Sequence, residues 1–366
     1  MIVAPIFFFV SPALARTVTL SNTALPLDTN GSPLVTGEMS VLLDRDGSWV
    51  LYFNDWGGCP GVDCCTAAQS TGCSTCCFTH PPETDPCVYT ANHTVVAYRT
   101  PDFSTFTPLG AVLPPSARRA GVEFRPQVIL CPATGIYVMW YEDRWTSGGS
   151  NGGYAVAHAT SPEGPFITVS DSVKLPGVGR VGDYDVFTDS KDNKTWHVRT
   201  GLTIVPLAAN CSAPEESAVA TEIPNGGVEG PAMFQRNDIY YLLVGVGCCA
   251  CKGGSNVIVY TAATPAGPWT LGKDVGSNTT NHHTFNAFSP FNYVTRAQQT
   301  KVIAIPSSTS TSTAGLQFLW IGNAWVSSGG PRNADLLYFS ILNFTDNGEI
   351  TQMIREEQCL LNVVGS

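Results

Sequence analysis

Short apolar runs, separated by polar turns, recur along this chain in pairs. "GEMSVLLDRDGSWVLYF" from Gly37, "EFRPQVILCPATGIYVMWY" from Glu123, "GDYDVFTDSKDNKTWHV" from Gly182 and "EGPAMFQRNDIYYLLVG" from Glu229 share one plan. Each has an acidic residue, a short apolar strand, a turn and an aromatic-rich second strand. "NAFSPFNYVTRAQQTKVIAIP" from Asn286 repeats the plan without the acid. A second pattern follows the units. "TVVAYRTPDFSTFTPLG", "YAVAHATSPEGPFITV" and "VIVYTAATPAGPWTLG" each give an alternating strand, a Ser/Thr-Pro turn and a further edge strand. Four strands returning every roughly 45 to 60 residues are the mark of propeller blades. The pattern therefore predicts an all-β fold, a five-bladed β-propeller with Cys-rich loop insertions, formed by residues 16–366 as a single domain. The first unit is longer than the rest because an insertion over about residues 57–87 lies inside it.

In such a ring the innermost strand of every blade starts or ends at the central funnel, so residues heading those strands converge although they are far apart in sequence. Glu38, Glu123, Asp183 and Glu229 are predicted to share that cavity. A lone carboxylate at a strand head is ordinarily a solvated end or a cap, but four at one phase of a repeat point to chemistry. Clustered like charges raise one another's pKa values, which lets a carboxyl remain protonated near neutrality and act as an acid.

Composition narrows the partner. Charged residues make up only 13% of the 366-residue chain, aromatics 10%, and there are 35 glycines and 26 prolines, which suits short strands and turns and excludes a helical bundle. The formal charge of −10 and the lack of a Lys/Arg cluster argue against nucleic acid or an anionic membrane and favour a neutral, polar ligand. Residues 1–15 end in Ala13-Leu14-Ala15, a small-x-small cleavage pattern, and are expected to be a signal peptide although a basic n-region is missing. No later segment has the roughly 18 apolar residues needed to span a bilayer, so a secreted, monomeric protein is expected. Of 13 cysteines, seven crowd between Cys59 and Cys87 and three fall in "GCCACKG". In an exported chain these read as disulfide-stapled loops rather than a metal knuckle, with one thiol left over or paired between chains. Sequons at Asn30, Asn92, Asn193, Asn210, Asn278 and Asn343 fit passage through a secretory route as a glycoprotein.

With these motifs in place, the sequence resembles glycoside hydrolase family 43 over about residues 35 to 355. The segment "GDYDVFTDSKDNKTWHV" is similar to the one that orients the catalytic acid, which implies Asp183 as pKa modulator. "VEGPAMFQRNDIYYLLVGVG" is similar to the segment that carries the general acid, which implies Glu229. The branch it looks most like is the exo-β-1,3-galactanases, through "EFRPQVILCPATGIYVMWY" and "FLWIGNAWVSSGGPRNADLLYFSIL". This resemblance implies an exo-acting, inverting glycosidase on β-galactan or a related polysaccharide. It also implies Glu123 as a ligand for a sugar hydroxyl, with Arg125 either a second contact or the ion-pair partner of Glu123. Two departures stand out. The branch carries a glutamine on the fifth blade in place of a carboxylate base, and this register puts Phe288 there. Other members head the first blade with an aspartate base, where this chain has Glu38, the candidate base; Asn286, His282 and His283 are the substitutes. An inverting pair needs roughly 6.5 to 9.5 Å between acid and base to admit water, a gap that opposite blades can supply. Trp56, Trp140, Tyr141, Trp145 and Tyr184 are candidate sugar-stacking platforms. Members of the family often hold a central structural cation, so calcium is considered, but no oxygen-ligand loop in the sequence establishes one; no cofactor and no metal ligand is assigned. Two other readings compete: a catalytically degenerate propeller that binds glycans or a protein, and a surface protein that works through its Cys-rich insertion.

Overall fold

The computed structural model describes residues 15–55, 93–118, 122–144, 153–178, 181–223, 228–246, 253–277, 294–306, 315–325 and 335–364. Its strands form five radial antiparallel sheets, each built in sequence order from the axis outward. Blade 1 is Met39–Leu43, Trp49–Asp55, Thr94–Thr100 and Thr107–Leu113. Blade 2 is Val122–Leu130, Tyr137–Arg144, Gly153–Ala159 and Ile167–Val173. Blade 3 is Tyr184–Thr188, Thr195–Arg199, Thr203–Pro206 and the short Thr221–Glu222. Blade 4 is Glu229–Arg236, Ile239–Gly245, Ile258–Ala262 and Thr270–Asp274. Blade 5 is Gln298–Pro306, Leu316–Ala324 and Leu336–Leu342. The expected all-β, five-bladed propeller is what the chain forms.

The strands read as nearly continuous apolar runs because both faces of each blade are covered. Alternate side chains go to opposite neighbours. In blade 2, Met139 and Tyr141 pack with Leu42, Val50 and Tyr52 of blade 1, while Val138 and Trp140 pack with Tyr184 and Val186 of blade 3. In blade 4, Leu242 and Val244 join Val198 and Ile204 of blade 3, and Tyr241 and Leu243 join Phe318 and Trp320 of blade 5. The core is thus five wedges, one between each pair of blades. The last wedge, between blades 5 and 1, also takes in Val18, Leu20, Leu361 and Val363. These come from Ala15–Ser21 and Gln358–Val364, which pair antiparallel from Ala15↔Val364 to Ser21↔Gln358 and close the ring. The side chain of Asn22 extends this closure like a piece of strand: it donates to the Phe339 carbonyl (3.0 Å) and accepts from the Phe339 N–H (2.8 Å).

Two cysteines that the repeat pattern leaves scattered, Cys131 and Cys211, form a disulfide across an 80-residue separation, from the first turn of blade 2 to a loop of blade 3. Cys359 is a free, buried thiol. The cysteines from Cys59 to Cys87 and in the "GCCACKG" group, and residues 1–14 of the expected leader, lie outside the described residues.

Candidate functional site

Three of the five inner strands carry a β-bulge: between Phe124 and Gln127 in blade 2, between Glu229 and Ala232 in blade 4, and between Gln299 and Lys301 in blade 5. In blades 2 and 4 the bulge has the same chemistry. A residue in the left-handed region, Arg125 (φ 49°) or Gly230 (φ 59°), precedes a proline. Its N–H, freed from the ladder, is taken by a carboxylate from the preceding blade: Glu38 Oε2 accepts from Arg125 N at 2.8 Å, and Asp183 Oδ2 accepts from Gly230 N at 3.0 Å. Glycine enters that conformation at no steric cost and arginine does not, so Arg125 holds its position against about 1 kcal/mol or more of strain. Its guanidinium gives the reason. It lies across the axis with Nε 3.2 Å from Asp183 Oδ1 and 3.8 Å from Glu38 Oε1, while its terminal nitrogen donates to the Gln299 carbonyl of blade 5 at 2.9 Å.

Arg125 is only 2% exposed. Burial works against its charge, but the fields of Asp183, Glu38, Glu142 and Glu229 overcome this and raise its pKa above the usual value. The fields of four carboxyl groups thus act on one guanidinium. Glu38 holds its proton past neutrality. Its carboxyl is pushed up to about 8, first by burial and then by Asp183 and Glu142, against the lowering effect of the Arg125 charge and N–H. Asp183 is partly exposed and receives donors from three blades: Arg125, Gly230 N–H and the Gln298 amide (2.9 Å). The Gln298 side chain is itself oriented by Trp325, whose indole N–H donates to its Oε1 at 3.2 Å.

Glu38 and Asp183 meet on Arg125, and Glu229 opens the inner strand of blade 4 directly before Gly230. Glu123 pairs with Asp143, one place further from its bulge than Glu229, which pairs with Gly245; Phe124 stands at the Glu229 register in blade 2. Tyr184 is corrected from a stacking platform to a support. It is fully buried, its hydroxyl donates to the Arg125 carbonyl at 2.7 Å, and its ring stacks on His197 at 4.9 Å. Trp140 and Tyr141 are likewise wedge residues with no face open to a sugar. Arg125, expected at the substrate or beside Glu123, is spent on Asp183 and Glu38. Trp56, Trp145, His282, His283, Asn286 and Phe288 lie outside the described residues.

The sequence reading missed Gln298. The fifth blade does bring a glutamine to the site, at the head of Gln298–Pro306, ten residues beyond Phe288. The signal was the apolar run "VIAIP", which marks where the inner strand lies; counting back from it reaches "AQQTK", not "NAFSP". Also missed was a second polar layer, two residues further along the inner strands of blades 1 and 3, where period-two alternation returns the side chain to the axis. Ser40 Oγ accepts from Val128 N at 3.0 Å and Asp185 Oδ2 from Met233 N at 2.8 Å, repeating the blade-to-blade caps of Glu38 and Asp183.

Residues 88–307 match the family model described as glycosyl hydrolases family 43, more than half of the chain. The chain belongs to that family. Among solved structures it is similar to an exo-β-1,3-galactanase from Clostridium thermocellum, with 19% identity, TM-score 0.67, and 91% of this chain and 64% of that one covered. It is also similar to an exo-β-1,3-galactanase from Phanerochaete chrysosporium, solved with galactose, with 16% identity, TM-score 0.67, and 95% and 71% covered. At these identities the likeness carries the fold, and the chain spans less than two thirds of the Clostridium protein's length. No curated protein matches the chain.

Proposed function

We propose that the chain is a secreted, monomeric, exo-acting β-galactan hydrolase that inverts configuration, with Glu229 as general acid, Asp183 as the residue that orients and tunes it, and Glu38 as general base. The observation that carries this is the convergence of Glu38 and Asp183 on Arg125, with Glu229 within the same field. In one turnover the Glu229 carboxyl gives its proton to the departing glycosidic oxygen as the bond from that oxygen to the anomeric carbon breaks. Glu38 takes a proton from the water whose oxygen forms the new bond on the opposite face. Exchange with solvent then returns a proton to Glu229 and removes one from Glu38. The galactan preference is supported by the solved galactanases that share the fold, and secretion by the leader-like start. The four described sequon asparagines, Asn30, Asn193, Asn210 and Asn343, are all exposed, which supports a glycoprotein.

A carboxyl at about 8 is ionised in only about a tenth of molecules at pH 7, so kcat/KM should climb toward pH 8 if Glu38 is the base. The same shift favours a second reading, a glycan-binding propeller with a disabled base. The deciding experiment is hydrolysis of β-1,3-galactan and an aryl β-galactoside by the wild type and by Glu229→Gln. Release of galactose that Glu229→Gln loses by about 10² to 10⁴, with folding intact, supports the hydrolase. Binding without turnover by the wild type overturns it in favour of the second reading.

A further inference from the structure

Below the Arg125 layer, the second polar layer has a cation of its own. Lys301, on the inner strand of blade 5, extends to the axis and reaches blades that are not its neighbours. Its ammonium forms an ion pair with Asp185 of blade 3, lies 3.1 Å from the Val186 carbonyl of the same blade, and is 3.5 Å from Gln127 Oε1 of blade 2. Asp185 is fully buried, and its other oxygen is committed to the Met233 N–H of blade 4. Only at the axis do blades 2, 3, 4 and 5 come within reach of one another. Three oxygens with one negative charge meet the three N–H donors of one ammonium, so the donor and acceptor counts match.

This bears on the central cation that the family resemblance implies. A calcium ion needs six to eight oxygens at about 2.3 to 2.6 Å. Among the described residues three oxygens face the ammonium, they are already engaged, and the point on which they converge is filled by a side chain that carries positive charge. No cluster of three or more His, Cys, Asp or Glu residues placed to hold a metal occurs among the described residues. A metal does not fit this position. We propose that Lys301 is the axial cation of this propeller, an internal ammonium standing where a metal would otherwise join the inner strands, and that the fold is consequently independent of metal. The buried Asp185 carboxylate makes that cation necessary, because removing one partner of a buried pair leaves an uncompensated charge.

The test uses the full-length chain and reads thermal midpoints and bound metal, with no dependence on substrate. The wild type should show the same midpoint in EDTA, in buffer alone and in millimolar calcium chloride, and elemental analysis should find no stoichiometric metal. Lys301→Ala should lower the midpoint by roughly 5 °C or more, and ethylammonium or calcium should restore part of it through the opened space. Tetramethylammonium, too large and without N–H donors, should not restore it at equal ionic strength. A wild-type midpoint that falls in EDTA and recovers with calcium overturns the proposal, as does a Lys301→Ala midpoint equal to that of the wild type. Should Lys301→Ala not fold, the metal titration of the wild type decides by itself, and the uncharged double variant Lys301→Met with Asp185→Asn, expected to fold, gives the second reading. Failure of that double variant would overturn the assignment of Lys301 as a charge partner.

Discussion

Replacing Glu38 with glutamine should make the protein less sensitive to pH. Folded, the Glu38 carboxyl is pushed up to about 8 from 4.5, chiefly by burial. Unfolded, it returns to the ordinary value. Between those two pH values the native state binds a proton that the unfolded state has released, so stability falls as pH rises through the window. The contribution is fully present below about pH 4.5 and lost by about 8. Each unit is about 1.4 kcal/mol, so the wild type loses about 4 kcal/mol from this group between pH 5 and pH 8. Glutamine is close in shape to the protonated form and its Oε1 still accepts the Arg125 N–H, but it has no proton to lose. Glu38→Gln and wild type should therefore unfold at similar urea concentrations at pH 5, and the variant should gain by several kcal/mol relative to the wild type by pH 8. Other titrating groups cancel in the difference. The outcome that refutes the reasoning is a difference between the two proteins that stays constant from pH 5 to pH 8. That would mean the single guanidinium of Arg125 keeps Glu38 ionised despite three competing carboxylates.

The remaining expectations concern how the ring is held. The Cys131–Cys211 bond closes an 80-residue stretch, so the double variant to serine should lose about 2 to 5 kcal/mol in urea unfolding, and equal midpoints for the two proteins would show that the wedge between blades 2 and 3 does not need it. Asn22→Ala strips a buried N–H and a buried carbonyl of Phe339 of their partner and should cost about 2 to 3 kcal/mol, with faster amide exchange at Phe339; a loss below about 0.5 kcal/mol would place the ring closure in the strand pair alone.

How much of this was legible in the sequence follows from which contacts are periodic. The blades were legible because each strand buries both faces, and apolar runs with aromatic partners survive in the letters whatever the loops do. Asp183 and Glu229 were legible because each sits at the edge of such a run. The strap from Cys131 to Cys211 was not, since nothing local distinguishes two cysteines 80 residues apart from any other pair. The bulges were hidden for a related reason. "FRPQV" and "EGPAM" align once the left-handed residue before proline is known, and that alignment sets Phe124, not Glu123, opposite the Glu229 register. An arginine in that backbone conformation is the least expected letter of all, because local preference would put glycine there, as blade 4 does. Its presence is explained only by the axis, where Glu38 and Asp183 need a cation between them. One layer down the same logic recurs: Asp185 needs a cation, and blade 5 supplies Lys301 across the ring, directly after its bulge. Two positive charges, one above the other, each answer carboxylates sent in from other blades. In blade 3 the two-residue step from Asp183 to Asp185 is strand alternation, and in blade 5 the step from Gln298 to Lys301 is three residues because the bulge adds one.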